Sequence, residues 1–148
     1  FIESSYGVGM LIATIFVYRY ASRYKKGTWL MLGLIYDGLS FIPLYWVGRL
    51  GADPFWLTLS IIFVHSLGIP FIQVTRTTLI HSIVPGHMQG RVFSMVNLAV
   101  IGVMSISVAL TGILAEWISP RTIFLLIGVG AAMSGLMGLS MKTIRDAD

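Results

Sequence analysis

Long apolar runs separated by short polar stretches set the pattern of this chain. Ser4–Tyr18, Pro54–Thr75, Val92–Ala115 and Thr122–Met141 contain no Asp, Glu, Lys or Arg, and Thr28–Gly48 contains one acid, Asp37. A helix that crosses a bilayer needs roughly 17–25 predominantly apolar residues. The pattern therefore predicts five spans, over about 2–18, 28–48, 54–75, 92–115 and 122–141. A soluble helix keeps a polar face toward water, whereas these runs are apolar most of the way round. Pro43 and Pro70 fall inside the second and third runs. Each lacks an N–H for helical bonding and so predicts a kink.

Composition narrows the classes. Of 148 residues, 56% are apolar and 11% charged, against about 25% charged in a soluble domain. Too little polar surface remains to cover a water-soluble fold, and an integral membrane protein is expected. There is no cysteine, so neither a disulfide framework nor a cysteine-ligated metal is available. His81 and His87 have no carboxylate close in sequence, and no metal or cofactor is expected. No phosphate-binding glycine loop, paired catalytic carboxylates or nucleophile elbow is present, which argues against an enzyme. The basic stretches are short and leave nucleic acid binding without support. The chain opens on Phe1 with no signal-peptide pattern, and it reads as a fragment of a longer protein.

Charge in the connections gives an orientation. Residues 19–27 and 76–91 and the tail 142–148 hold eight of the ten Lys and Arg, while the other two connections hold one each, Arg49 and Arg121. Bases in short loops mark the cytoplasmic side. Loops 19–27 and 76–91 and the C-terminus are therefore expected in the cytoplasm, with the chain starting outside. Tyr18, Tyr24, Trp29, Trp46, Trp56 and Trp117 near the span ends fit an aromatic belt at the interfaces.

Within the apolar runs a few polar residues stand out. Asp37 lies near the middle of its run and shares a helical face with Gly33 and Ser40. An acid at that depth costs about 2.5–3.5 kcal/mol on insertion and usually faces protein or a water-filled cavity. It reads either as a proton-coupling or cation-binding carboxylate, or as a structural hydrogen-bonding group. His65, about twelve residues into the third run, reads as a proton carrier or as a neutral core hydrogen-bonding group. Gly130, Ser134 and Gly138 recur every fourth residue in the last run. They predict a flat stripe for close helix packing.

Two connections carry a family resemblance. Val84-Pro85-Gly86-His87-Met88-Gln89-Gly90-Arg91-Val92-Phe93-Ser94 resembles the V-P-x-x-x-x-G-R-V-x-S loop before the eleventh helix in one branch of the major facilitator superfamily. That branch includes macrolide-efflux and enterobactin-exporter proteins. Gly86 stands where the family usually has an acid. Residues 18–27, with Arg19, Ala21, Arg23 and Lys26, resemble the G-R-x-A-D-R-x-G-R-R loop between the eighth and ninth helices. There Ser22 replaces the usual Asp, and Tyr18 and Lys25 replace glycines. On the physical side, Pro85 favours a helix break, Gly86 and Gly90 permit backbone conformations closed to other residues, and Arg91 meets the interface.

The resemblance implies an all-α integral membrane chain forming helices eight to twelve of a twelve-helix fold, in a bacterial plasma membrane. It implies a secondary active transporter, with proton-coupled efflux of small amphipathic or drug-like solutes and with lysophospholipid or siderophore as other substrate classes. The expected partners are the lipid bilayer, the absent N-terminal half, a solute and protons. The alternative is a non-transporting membrane subunit or scaffold that binds a partner through its small-residue grooves.

Overall fold

A computed structural model describes residues 2–20, 25–49 and 53–147. Among the described residues seven α-helices occur in chain order: α1 (Ile2–Tyr20), α2 (Lys26–Phe41), α3 (Pro54–Ser66), α4 (Ile69–Ile83), α5 (Gly86–Ala115), α6 (Pro120–Ser140) and the short α7 (Lys142–Arg145). No strand occurs among the described residues. The stretches Lys26–Trp46, Pro54–Ile83, Gly86–Ala115 and Pro120–Ser140 are long and apolar enough to cross a membrane by length and composition. α1 has 19 residues, with Glu3 in its first turn and Arg19 in its last.

Proline and cap residues explain the boundaries. α3 and α6 each open on a proline, a residue suited to the first helical position because its missing N–H has no intrahelical partner there. Asp53 Oδ1 accepts from the Phe55 N–H at 2.9 Å, and Ser119 Oγ accepts from the Thr122 N–H at 3.4 Å. At Pro43 the backbone tightens into a 3-10 turn over Ile42–Trp46, which ends at Gly48 with φ +83°. That left-handed conformation favours glycine. At Pro70 the third run breaks: Leu67 and Gly68 form a turn between α3 and α4. The Tyr36 hydroxyl donates to Val64 O at 2.6 Å, satisfying a carbonyl at that break.

Two expectations about the connections are corrected. Residues 76–91 are not an open loop. α4 continues to Ile83 and α5 begins at Gly86, so only Val84 and Pro85 lie between them. Gly86 and Gly90 use no special backbone conformation, because both are helical and Gly48 is the one positive-φ glycine among the described residues. At the C-terminus α7 folds back on the start of α2, where the Gly27 N–H donates to Ala147 O and Thr28 Oγ1 to Arg145 O, each at 2.9 Å.

α2 is the centre of the bundle, packed most closely on α6 and then on α4, while α1 lies along α3 and α4. The buried apolar set is small, with Ala13, Val17, Leu44, Ile123 and Ala132. Most large apolar side chains face outward, as expected where lipid rather than water is the solvent. No residue of the 30-residue α5 is buried.

Close approach of α2 and α6 depends on small residues. A Cβ placed on Gly128 would stand 2.7 Å from Gly38 O, and one on Gly135 would stand 2.9 Å from Met31 O. Gly128, Ala132, Gly135 and Gly138 form the buried stripe of α6. The predicted stripe is thus shifted around the helix. Gly138 does pack, against Met31, but Gly130 and Ser134 are exposed and a Cβ on Gly130 would meet nothing within 4 Å.

Candidate functional site

α2 and α3 enter the bundle from opposite ends, and their two ionisable residues meet. Asp37 stands eleven residues beyond Lys26, and His65 eleven beyond Pro54. At 1.5 Å per residue each is about 16 Å along its helix, a distance about half the thickness of a bilayer's hydrocarbon core. Asp37 Oδ1 lies 3.3 Å from His65 Nδ1, with side-chain exposures of 19% and 12%. Ser40, one turn beyond Asp37, is buried and completes the group. Its hydroxyl donates to Asp37 O at 2.6 Å and lies 2.9 Å from His65 Nδ1.

Ser40 has one hydroxyl hydrogen and two neighbours able to accept it, the Asp37 carbonyl and His65 Nδ1. With that hydrogen on the carbonyl, His65 makes its contact as an Nδ1–H donor; with it on the imidazole, Nδ1 is the acceptor. The triad therefore accommodates either tautomer of His65. Phe41 covers the imidazole, with ring centroids 4.2 Å apart. A cavity of about 430 Å³ opens beside His65, lined also by Ile2, Glu3, Tyr6, Phe41 and Ile62.

Glu3 and Tyr6 escape the sequence reading. Glu3 sits just outside the first charge-free run, and its depth depends on the register between two helices. That register is set by Ser5 Oγ, which donates to Leu59 O at 3.3 Å, and by Gly9, which admits Phe63 and Ser66. Ser5 is therefore level with a residue well inside α3, and Glu3 lies beside the first turns of that helix rather than beyond its end. The one available signal is that Glu3 is the first run's only nearby acid.

The other singled-out residues lie apart from this group. Arg19 is exposed near the end of α1, and Arg23 lies outside the described residues. Pro85 is the residue before α5, with Gly90 and Arg91 exposed in that helix's second turn. Across this junction His81 Nδ1 lies 2.9 Å from Gln89 Oε1, and Gln89 Nε2 donates to Val84 O at 3.1 Å. Among the described residues no group of three or more His, Cys, Asp or Glu is placed to hold a metal.

Sequence comparison supplies an independent line. The profile of the Major Facilitator Superfamily matches residues 1–147. The "Uncharacterized MFS-type transporter YfiS" of Bacillus subtilis (strain 168) is 28% identical over 146 residues, covering 95% of this chain and 34% of that protein. The chain thus spans about a third of the length of the curated relative it matches. No solved structure gives a significant match.

Proposed function

Because the chain belongs to the Major Facilitator Superfamily, we propose that it forms part of a secondary active transporter in which Asp37 and His65 carry the coupling proton. The reading is transport rather than catalysis. One observation carries it: two ionisable side chains on oppositely running helices meet at mid-depth, 3.3 Å apart, beside a cavity. A polar pair there is costly to bury and is retained where it faces protein or a water path. Proton gain at His65 changes the charge held between α2 and α3. It thereby biases the two arrangements of an alternating-access cycle.

The solutes are small and amphipathic or drug-like, moved outward against proton entry. Lysophospholipid and siderophore are the other substrate classes. The chain sits in a bacterial plasma membrane with its C-terminus in the cytoplasm. Its unburied α5 is covered by helices of the N-terminal half. The test is efflux from vesicles carrying the full-length protein, using fluorescent amphipathic solutes and an imposed pH gradient, with Asp37→Asn compared at matched membrane abundance. Efflux that collapses in the variant supports the assignment. Efflux that persists removes Asp37 from the coupling step, and a wild type that moves no solute favours the scaffold reading.

A further inference from the structure

At the end of the bundle away from Lys25 and Asp146, Arg49 and Arg121 converge on one place. Arg49 follows the 3-10 turn after α2, and Arg121 lies in the first turn of α6. Both line a cavity of about 370 Å³ with Tyr45, Ser119, Pro120 and Thr122. Gly48 brings them together. The chain reverses there, and a Cβ on Gly48 would stand 3.0 Å from Arg121 Nη2. The Arg49 guanidinium lies over the Tyr45 ring, 5.0 Å from its centroid, an orientation favoured by attraction between a cation and an aromatic face.

Neither arginine has an ion-pair partner among the described residues. Asp53, the acid nearest to Arg49 in sequence, turns its Oδ1 to the Phe55 N–H. Two like charges held in one cavity repel, and an anion placed between them relieves that repulsion while accepting charge-assisted hydrogen bonds. The hydroxyls of Ser119 and Thr122, hydrogen-bonded to each other at 3.0 Å at the same cavity, use one hydrogen between them and leave the other to donate.

A second cavity, of about 220 Å³, shares Pro120 and Arg121 with the first and is walled by Leu44, Val47, Pro54 and Phe124 among others. The polar compartment thus adjoins an apolar one across Arg121. A small inorganic anion fills only the first. A molecule with phosphate at one end and hydrocarbon at the other fills both. We propose that this corner binds an anionic phospholipid, its phosphate between Arg49 and Arg121 and one acyl chain along Leu44, Val47 and Phe124. The site is separate from the Asp37–His65 pair and does not depend on the proposed transport.

The test uses the full-length protein, purified in detergent and titrated with dioleoylphosphatidylglycerol or inorganic phosphate under native mass spectrometry. One retained lipid is expected. Retention should weaken by roughly tenfold in Arg49→Gln or Arg121→Gln and recover in part with lysine, which keeps the charge without the planar fork. Arg19→Gln, at the other end of α1, should leave retention unchanged. Inorganic phosphate binding as tightly as the lipid would overturn the two-compartment assignment, and needs only wild-type protein. Glutamine variants that elute as the wild type does and retain lipid equally would overturn the arginine site.

Discussion

Asp37 Oδ1 and His65 Nδ1 lie 3.3 Å apart, joined through Ser40 across the contact of α2 with α3. Each group is mostly shielded and has the other as a polar partner, so their contributions should be coupled. Asp37→Asn and His65→Gln should each cost about 1–3 kcal/mol of folding stability. The double variant should cost less than their sum by about 0.5 kcal/mol or more. Thermal unfolding of the full-length protein provides the cycle. Strictly additive losses would show that the two side chains act independently.

The α2–α6 contact predicts a sharp difference between neighbouring glycines. Gly128→Val pushes a side chain into the Gly38 carbonyl, which stands 2.7 Å from where even a Cβ would sit. A loss of about 1–3 kcal/mol is expected from such overpacking. A Cβ on Gly130 meets nothing within 4 Å, and Gly130→Val should stay within about 0.5 kcal/mol of wild type. Equal losses at the two positions would contradict the observed stripe.

Docking of α7 should depend on acid and salt. Lys25 Nζ donates to Asp146 Oδ1 at 2.9 Å, and Arg145 Nε lies 3.5 Å from the same oxygen. The hydrogen bonds from Lys25 and then Arg145 hold the Asp146 carboxyl below its usual range. A carboxyl lowered in the folded state contributes fully above its free value of about 4, and the contribution fades as pH falls through the lowered one. A label on Thr143→Cys should therefore gain mobility as pH drops below about 4, and at high salt because the pair is exposed. Asp146→Asn should be mobile at every pH. A label whose mobility ignores both pH and salt would assign the docking to the backbone bonds at Gly27 and Thr28.

The α4–α5 junction should loosen when Gln89 is shortened. Gln89 Nε2 donates to Val84 O, a carbonyl at the α4 terminus that the helix itself leaves without a partner. Gln89→Ala should speed amide exchange around Val84–Met88 by roughly fivefold, the equivalent of one ordinary hydrogen bond. Exchange that does not change would show the turn to be held by Pro85 and its neighbours alone.

Hydropathy made the helices legible, and the two prolines marked where the backbone changes course at Ile42–Trp46 and Leu67–Gly68. It also singled out Asp37 and His65, because an ionisable residue is conspicuous in an apolar run. Their meeting was not legible, since it depends on where α2 and α3 cross. The packing stripe was missed for a related reason. Gly130-Ser134-Gly138 and Gly128-Ala132-Gly135 are both small-residue rows on one helix, and only the position of Met31, Ile35 and Gly38 on α2 selects between them. Residues 76–91 looked like a loop because Arg76 and Arg91 interrupt the apolar pattern. Helical hydrogen bonding is indifferent to that interruption and carries α4 on to Ile83.

The turn at Leu67–Gly68 has a mechanical consequence. Pro54–Ile83 spans 30 residues, about 45 Å if straight, against a hydrocarbon thickness of about 30 Å. Divided at Gly68, it becomes two arms on a pivot three residues past His65. Ile83 is fifteen residues from that pivot, about 22 Å away along the helix axis. A tilt of roughly 10° at Gly68 therefore sweeps Ile83, and Pro85 beyond it, through about 4 Å. Small adjustments beside the imidazole are thereby geared up to displacements of about a third of a helix diameter at the far end.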